Sequence, residues 1–109
     1  MKNELDQLVK EIEKLLKDKK AEDVATIDVR ERTPFAEYYI ISTALNNRHI
    51  KALIEEVEER LDKLGVEHKN IEGTVESGWM LIDANGVVIN VFSSVERERF
   101  SLDKLLLGK

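Results

Sequence analysis

The sequence lacks cysteine and has only one proline, one tryptophan and no long apolar run. Without thiols, disulfide bonds and thiolate metal sites are excluded, and nothing indicates an oxidising compartment. No apolar run approaches the roughly 18 residues that a membrane-spanning helix needs. The first residues lack a basic stretch followed by an apolar one, so we expect no signal peptide and a cytoplasmic location.

Basic residues are in the minority, with 17 Lys and Arg against 22 Asp and Glu. Proteins that wrap nucleic acid draw most of their affinity from neutralised phosphates, which requires positive charge on some face. We therefore expect little direct nucleic-acid contact and attraction to a basic protein surface instead. An RNA-binding alternative would depend on the arginines at Arg30, Arg32, Arg48, Arg97 and Arg99.

The 109 residues are enough for one domain, residues 1–109, with its own apolar core. Apolar residues at three- and four-residue spacing predict a helix over residues 3–20 and a second one between an Asn46 or Asn47 cap and Gly65. The first stripe consists of Leu5, Leu8, Val9, Ile12, Leu15 and Leu16. The second consists of Ile50, Leu53, Ile54, Val57, Leu61 and Leu64.

Runs rich in β-branched and aromatic residues predict strands over residues 22–29, Tyr38–Thr43 and 66–71. The second run is almost continuously apolar, which indicates a central strand buried on both faces. Helices and strands do not alternate strictly along the chain. The pattern therefore predicts an α/β fold of α+β-like type, with a mixed β-sheet of about five strands packed against helices.

Two further β-prone runs flank Asn85-Gly86, which predicts a hairpin with a two-residue turn. This register pairs Trp79 with Phe92, and alternation then assigns the side chains to two faces. One face is wholly apolar and should be core: Met80, Ile82, Ala84, Val87, Ile89 and Val91. The other face is mixed: Trp79, Leu81, Asp83, Val88, Asn90 and Phe92.

The mixed face has two interpretations. If the helices cover only the apolar face, it is a candidate docking surface, because large aromatics flanked by polar groups suit an interface hot spot. Alternatively, it forms a second apolar layer under loops, with Asp83 and Asn90 hydrogen-bonded to turns. The pattern alone leaves both interpretations open.

At these positions the chain resembles the ribosomal silencing factors, or Iojap family, from about Ala21 to Leu106. Three blocks carry the resemblance, and their order and spacing together are specific. The first is Ala21-Glu22-Asp23-Val24 with Ile27-Asp28-Val29, and the second is residues 36–43 with Asn47-Arg48-His49. The third is Glu72-Gly73, Gly78-Trp79, Asp83, residues 86–89, Val91-Phe92, Arg97, Phe100, Leu102 and Leu105.

The resemblance implies a nucleotidyltransferase-like fold without enzyme activity or a cofactor. It implies binding to the large ribosomal subunit through large-subunit ribosomal protein fourteen, which would block subunit joining and repress translation. Family members often form homodimers, so a homodimer is a second association that the resemblance allows. The interface positions that the resemblance implies overlap the mixed face of the hairpin, and this overlap favours the face as a docking surface. Together they give the partner-binding residues Trp79, Leu81, Asp83, Asn90, Phe92, Arg97 and Phe100. Asn90 stands where the family usually has His.

The main alternative is a reduced nucleotidyltransferase-like enzyme or nucleotide-binding protein. Active members of that fold use a Gly-Ser turn and an Asp-x-Asp pair to hold Mg²⁺ against phosphates, and the chain has neither. The single acids Asp28 and Asp83 are the remaining candidates for a shared metal. His49 beside Arg48 could bind an anion at a helix start, although a cap or loop contact is the favoured interpretation. We expect a protein that is not an enzyme.

Overall fold

The computed structural model describes residues 2–67 and 70–100 of the chain. Its helices and strands follow the order that the sequence predicts. They are α1 (Lys2–Asp18), β1 (Glu22–Asp28), β2 (Tyr38–Thr43), α2 (Asn47–Lys63), β3 (Asn70–Thr74), β4 (Trp79–Ala84), β5 (Val87–Phe92) and α3 (Ser94–Phe100). Within these two stretches, no helix is both long and apolar enough to cross a bilayer.

The five strands form one sheet in the order β1-β2-β5-β4-β3. β2 and β5 are parallel, and the other neighbouring strands are antiparallel. The predicted mixed sheet is therefore confirmed. β2 is paired on both sides, as its almost continuous apolar pattern indicates.

The hairpin between β4 and β5 has the predicted register, with Trp79 opposite Phe92 and Ala84 opposite Val87. Asn85 and Gly86 both adopt positive φ, 53° and 104°, which is the conformation that a two-residue turn of this hand requires. Five residues of the apolar face of the hairpin are buried against α1 and α2, and Met80 packs partly buried against the same cluster. The predicted core face is thus confirmed.

The main core lies between that face and the two long helices. Its helical members are Val9, Ile12, Leu15, Leu16, Ile50, Leu53, Ile54, Val57 and Leu61. The prediction was wrong for Leu64, which lies at the C-cap of α2 and is 46% exposed. There the chain leaves the helix through Gly65 (φ 72°), and the N–H of Val66 donates to the carbonyl of Leu61.

β3 begins later than the sequence predicts and extends through Gly73 to Thr74, so only residues 75–78 form the turn before β4. β4 determines these bounds, because it pairs with β3 from Asn70–Asp83 to Thr74–Trp79. All five residues of β3 are exposed, so this edge strand has no apolar pattern to reveal it. His68, the side chain of Phe100 and the predicted cluster of Leu102, Leu105, Leu106 and Leu107 lie outside the described residues.

Candidate partner-binding face

The sheet face opposite α1 and α2, here called the second face, collects side chains from several strands. Directly paired residues share a face, so the cross-strand register defines its rows. One row contains Thr74, Trp79, Phe92 and Thr43, and the next contains Glu72, Leu81, Asn90 and Ile41. A third contains Asn70, Asp83, Val88, Tyr39 and Ile27.

Trp79 is the largest side chain on the second face that is only partly buried. Its ring stacks on Phe92 with the centroids 5.1 Å apart and the planes 26° apart. Its Nε1–H donates to Oδ1 of Asn90 at 3.0 Å. The indole is therefore held through its ring face and its polar edge while part of it remains accessible.

Asn90 and Phe92 are more deeply buried than Trp79, with only 1% and 0% of their surface exposed. The amide of Asn90 accepts from the indole and donates to the carbonyl of Val88 at 3.3 Å. Among the described residues, both partners of the amide lie in strands, so the predicted hydrogen bond of Asn90 to a turn is wrong. Buried as they are, Asn90 and Phe92 support Trp79 from below and are not placed to touch a partner directly.

A second apolar layer exists, but it covers only part of the face. Its buried members are Ile27, Val29, Ala36, Ile41 and Phe92. The loop between β1 and β2 supplies Val29 and Ala36 to this layer. The N–H of Val29 donates to the carbonyl of Glu37 at 3.0 Å and closes the loop. Leu81, Asp83 and Val88 remain partly exposed over β4 and β5. Each sequence interpretation therefore describes one part of the face.

Arg97 anchors α3 at the end of the sheet. Its guanidinium donates to the backbone carbonyl of Asp23 and to the hydroxyl of Thr43, both at 3.0 Å. The hydroxyl of Ser93 accepts from the N–H of Glu96 at 3.1 Å and caps the helix. Because Thr43 is in the row of Trp79 and Phe92, α3 lies at the border of the second face.

Sequence reasoning missed Tyr39 and Ala25, which are partly buried and pack against the second layer. Alternation within β2 separates Tyr38 from Tyr39 but does not say which one shares a face with Trp79. The parallel pairing of Tyr39 with Val88 decides this. Such a pairing joins segments far apart in the chain, and no local signal reports it.

The two candidate metal ligands are not brought together. Asp28 pairs with Tyr38 and so lies on the α1 and α2 side, whereas Asp83 is on the second face. Arg30 binds Asp28 at 2.6 Å, and this hydrogen bond together with the carboxylate charge raises the pKa of the Arg30 guanidinium. Among residues 2–67 and 70–100, no group of three His, Asp or Glu could hold a metal ion.

His49 makes hydrogen bonds to the backbone near two helix ends, which confirms the favoured interpretation of a cap or loop contact. The side chain of Asn46 accepts from the N–H of His49 and caps α2. Both ring nitrogens of His49 are hydrogen-bonded to backbone groups, one of Leu45 and one of Lys19. An anion at this helix start would have to displace those bonds, so the imidazole is not available as an anion ligand.

Comparison with known proteins matches almost the whole chain. A family model described as "Ribosomal silencing factor during starvation" matches residues 2–108. The chain is 33% identical over 88 residues to "Ribosomal silencing factor RsfS" of Bacillus subtilis, covering 81% of this chain and 75% of that protein. It is 26% identical to the mouse "Mitochondrial assembly of ribosomal large subunit protein 1", covering 95% of this chain and 45% of that longer protein.

Solved structures agree with the sequence comparison. A crystal structure of a protein from Chromobacterium violaceum superposes with a TM-score of 0.88 at 29% identity, covering 95% of this chain and 87% of that one. Since the family model spans nearly every residue and the fold is shared, the chain belongs to the ribosomal silencing factor family.

Proposed function

We propose that this chain represses translation in the cytoplasm by binding the large ribosomal subunit through large-subunit ribosomal protein fourteen. The bound chain would occupy the surface where the small subunit docks and so block subunit joining. The names of the bacterial relatives support ribosome silencing, and the name of the mouse relative refers to the large subunit. The name of the mouse relative supports the large subunit as the partner.

The observation that carries the proposal is the open part of the second face around Trp79. α1 and α2 cover only the opposite face, and Trp79, Leu81 and Asp83 remain partly exposed. Tryptophan is among the residue types most enriched in protein-binding hot spots. The formal net charge of −5 favours a basic partner surface over RNA.

An enzymatic function has less support. The alternative needs clustered carboxylates, and the register places Asp28 and Asp83 on opposite faces of the sheet. Those two carboxylates therefore cannot share one metal ion in this fold.

Sedimentation of purified ribosomal subunits tests the proposal. The chain is expected to sediment with large subunits and to reduce the yield of joined ribosomes when small subunits are added. Trp79→Ala is expected to lower the affinity by at least about 30-fold, the loss typical of a hot-spot residue. Leu45→Ala is the matched control, because Leu45 is an apolar side chain that is 59% exposed and precedes α2.

Two results decide the interface. Loss of binding by a folded Trp79→Ala chain, with Leu45→Ala binding normally, supports the second face. Equal binding by wild type and a folded Trp79→Ala chain contradicts it. Homodimerisation, which the resemblance allows, is tested separately by light scattering, where a mass near the 12.5 kDa of one chain would contradict it.

A further inference from the structure

We infer that Asn90 is a positioning residue of the second face, whose buried amide orients the Trp79 indole so that a partner meets its carbon edge. The inference rests on the proposed function, because it describes how the binding surface is prepared. The sequence indicates that Asn90 contacts the partner directly, whereas the structure assigns it an indirect role.

Two restraints act on the same ring. Phe92, which is fully buried, supports one face of the indole at a centroid distance of 5.1 Å. Oδ1 of Asn90 accepts the Nε1–H at 3.0 Å and sets the rotation of the ring in its plane. An exposed side chain that is already ordered loses less conformational entropy when it binds, so these restraints raise affinity without adding a contact.

The hydrogen bond also determines what the partner can offer to the ring. The indole has a single donor, Nε1–H, and Asn90 already accepts it. A partner acceptor aimed at the indole would therefore gain little. The accessible ring instead suits an apolar or a cationic side chain, and the neighbouring Leu81 and Asp83 fit the same chemistry.

Asn90 is itself held so that its oxygen faces the indole. Its Nδ2 donates to the backbone carbonyl of Val88 at 3.3 Å. Since an amide has a distinct donor end and acceptor end, the bond to Val88 leaves the oxygen directed at Trp79. With 1% of its surface exposed, Asn90 acts on a partner only through the indole.

The test compares three variants in large-subunit binding. Asn90→Leu removes the acceptor at similar volume and is expected to weaken binding by about tenfold, the fold-change of one lost hydrogen bond. Asn90→His retains a ring nitrogen that can accept the indole N–H and is expected to bind within about threefold of wild type. Ser42→Ala is the control and is expected to bind as wild type does, because Ser42 is also fully buried but its hydroxyl donates to the backbone carbonyl of Asn90 and not to the side-chain amide.

A spectroscopic measurement on the unaltered protein makes the inference independent of whether Asn90→Leu folds. The indole ¹H–¹⁵N NMR signal of Trp79 is expected to exchange slowly with solvent, and exchange as fast as in free tryptophan would overturn the inference. Wild-type affinity in a folded Asn90→Leu chain, when Trp79→Ala has lost binding, would refute the positioning role alone. Normal binding by Trp79→Ala would instead refute the proposed interface.

Discussion

The imidazole of His49 joins the end of α1 to the start of α2 by reaching the backbone carbonyl of Lys19. Nε2 lies 2.8 Å from the Lys19 oxygen, and Nδ1 lies 2.9 Å from the N–H nitrogen of Leu45. A carbonyl only accepts and a backbone N–H only donates, so Nε2 donates to Lys19 and Nδ1 accepts from Leu45. One side chain thereby satisfies backbone groups at two helix ends.

Replacing His49 should destabilise the fold without altering the second face. His49→Ala removes both side-chain bonds and is expected to lower the free energy of unfolding by about 1–3 kcal/mol. Urea denaturation measures this, with the exposed neighbour Arg48→Ala as the control. Identical midpoints for the two variants would show that the imidazole contributes nothing to joining the helices.

Two glycines with positive φ should respond differently to alanine. At Gly73 (φ 90°) an added Cβ would lie 2.1 Å from the carbonyl oxygen of Trp79, whereas at Gly65 (φ 72°) it would meet nothing within 4 Å. Gly65→Ala bears only the left-handed backbone cost of about 1–2 kcal/mol. Gly73→Ala bears a comparable cost and must also displace β3 from β4. Thermal denaturation should therefore show a clearly larger loss for Gly73→Ala, and equal losses would contradict the close approach.

Arg97 should determine how firmly α3 is held. Arg97→Ala removes the bonds to Asp23 and Thr43, so the amides of α3 are expected to exchange faster with solvent while those of α1 and α2 are unchanged. Arg99→Ala is the matched control, because Arg99 is 71% exposed and pairs with Glu96 on the same helix. Unchanged exchange in Arg97→Ala would mean that α3 is anchored by other contacts.

Asp28 and Asp83 should not form a shared Mg²⁺ site. The two residues lie on opposite faces, so Asp28→Asn, Asp83→Asn and the double variant are each expected to leave the calorimetric response to Mg²⁺ and nucleotides at the wild-type level. A nucleotide-dependent heat that both single variants abolish would revive the enzymatic alternative.

The hairpin register was predictable because its determinants are local. Asn85 and Gly86 tolerate positive φ, which allows a two-residue turn. Strand alternation then separates the buried Ile82 and Ile89 from Trp79 and Phe92. The helical stripes were equally predictable, since their period depends only on helix geometry.

The position of β3 and the exposure of Leu64 were not predictable in the same way. β3 is an exposed edge strand defined by its pairing with β4, so its residues need no apolar pattern. Leu64 continues the spacing of the α2 stripe, but it is the C-cap residue of α2, and the chain changes direction at Gly65. Its side chain therefore does not enter the core. The pairing with β4 decided the bounds of β3, and the end of α2 decided the exposure of Leu64.

The sequence by itself determined that Trp79 and Phe92 share one face of a hairpin, because pairing and alternation follow from the turn. Only the tertiary structure decided that Phe92 is buried and Trp79 is partly open. β5 lies beside β2 in the middle of the sheet, whereas β4 lies beside the edge strand β3, all of whose residues are exposed. That difference comes from the parallel pairing of β2 with β5, a contact between distant segments that no local pattern encodes.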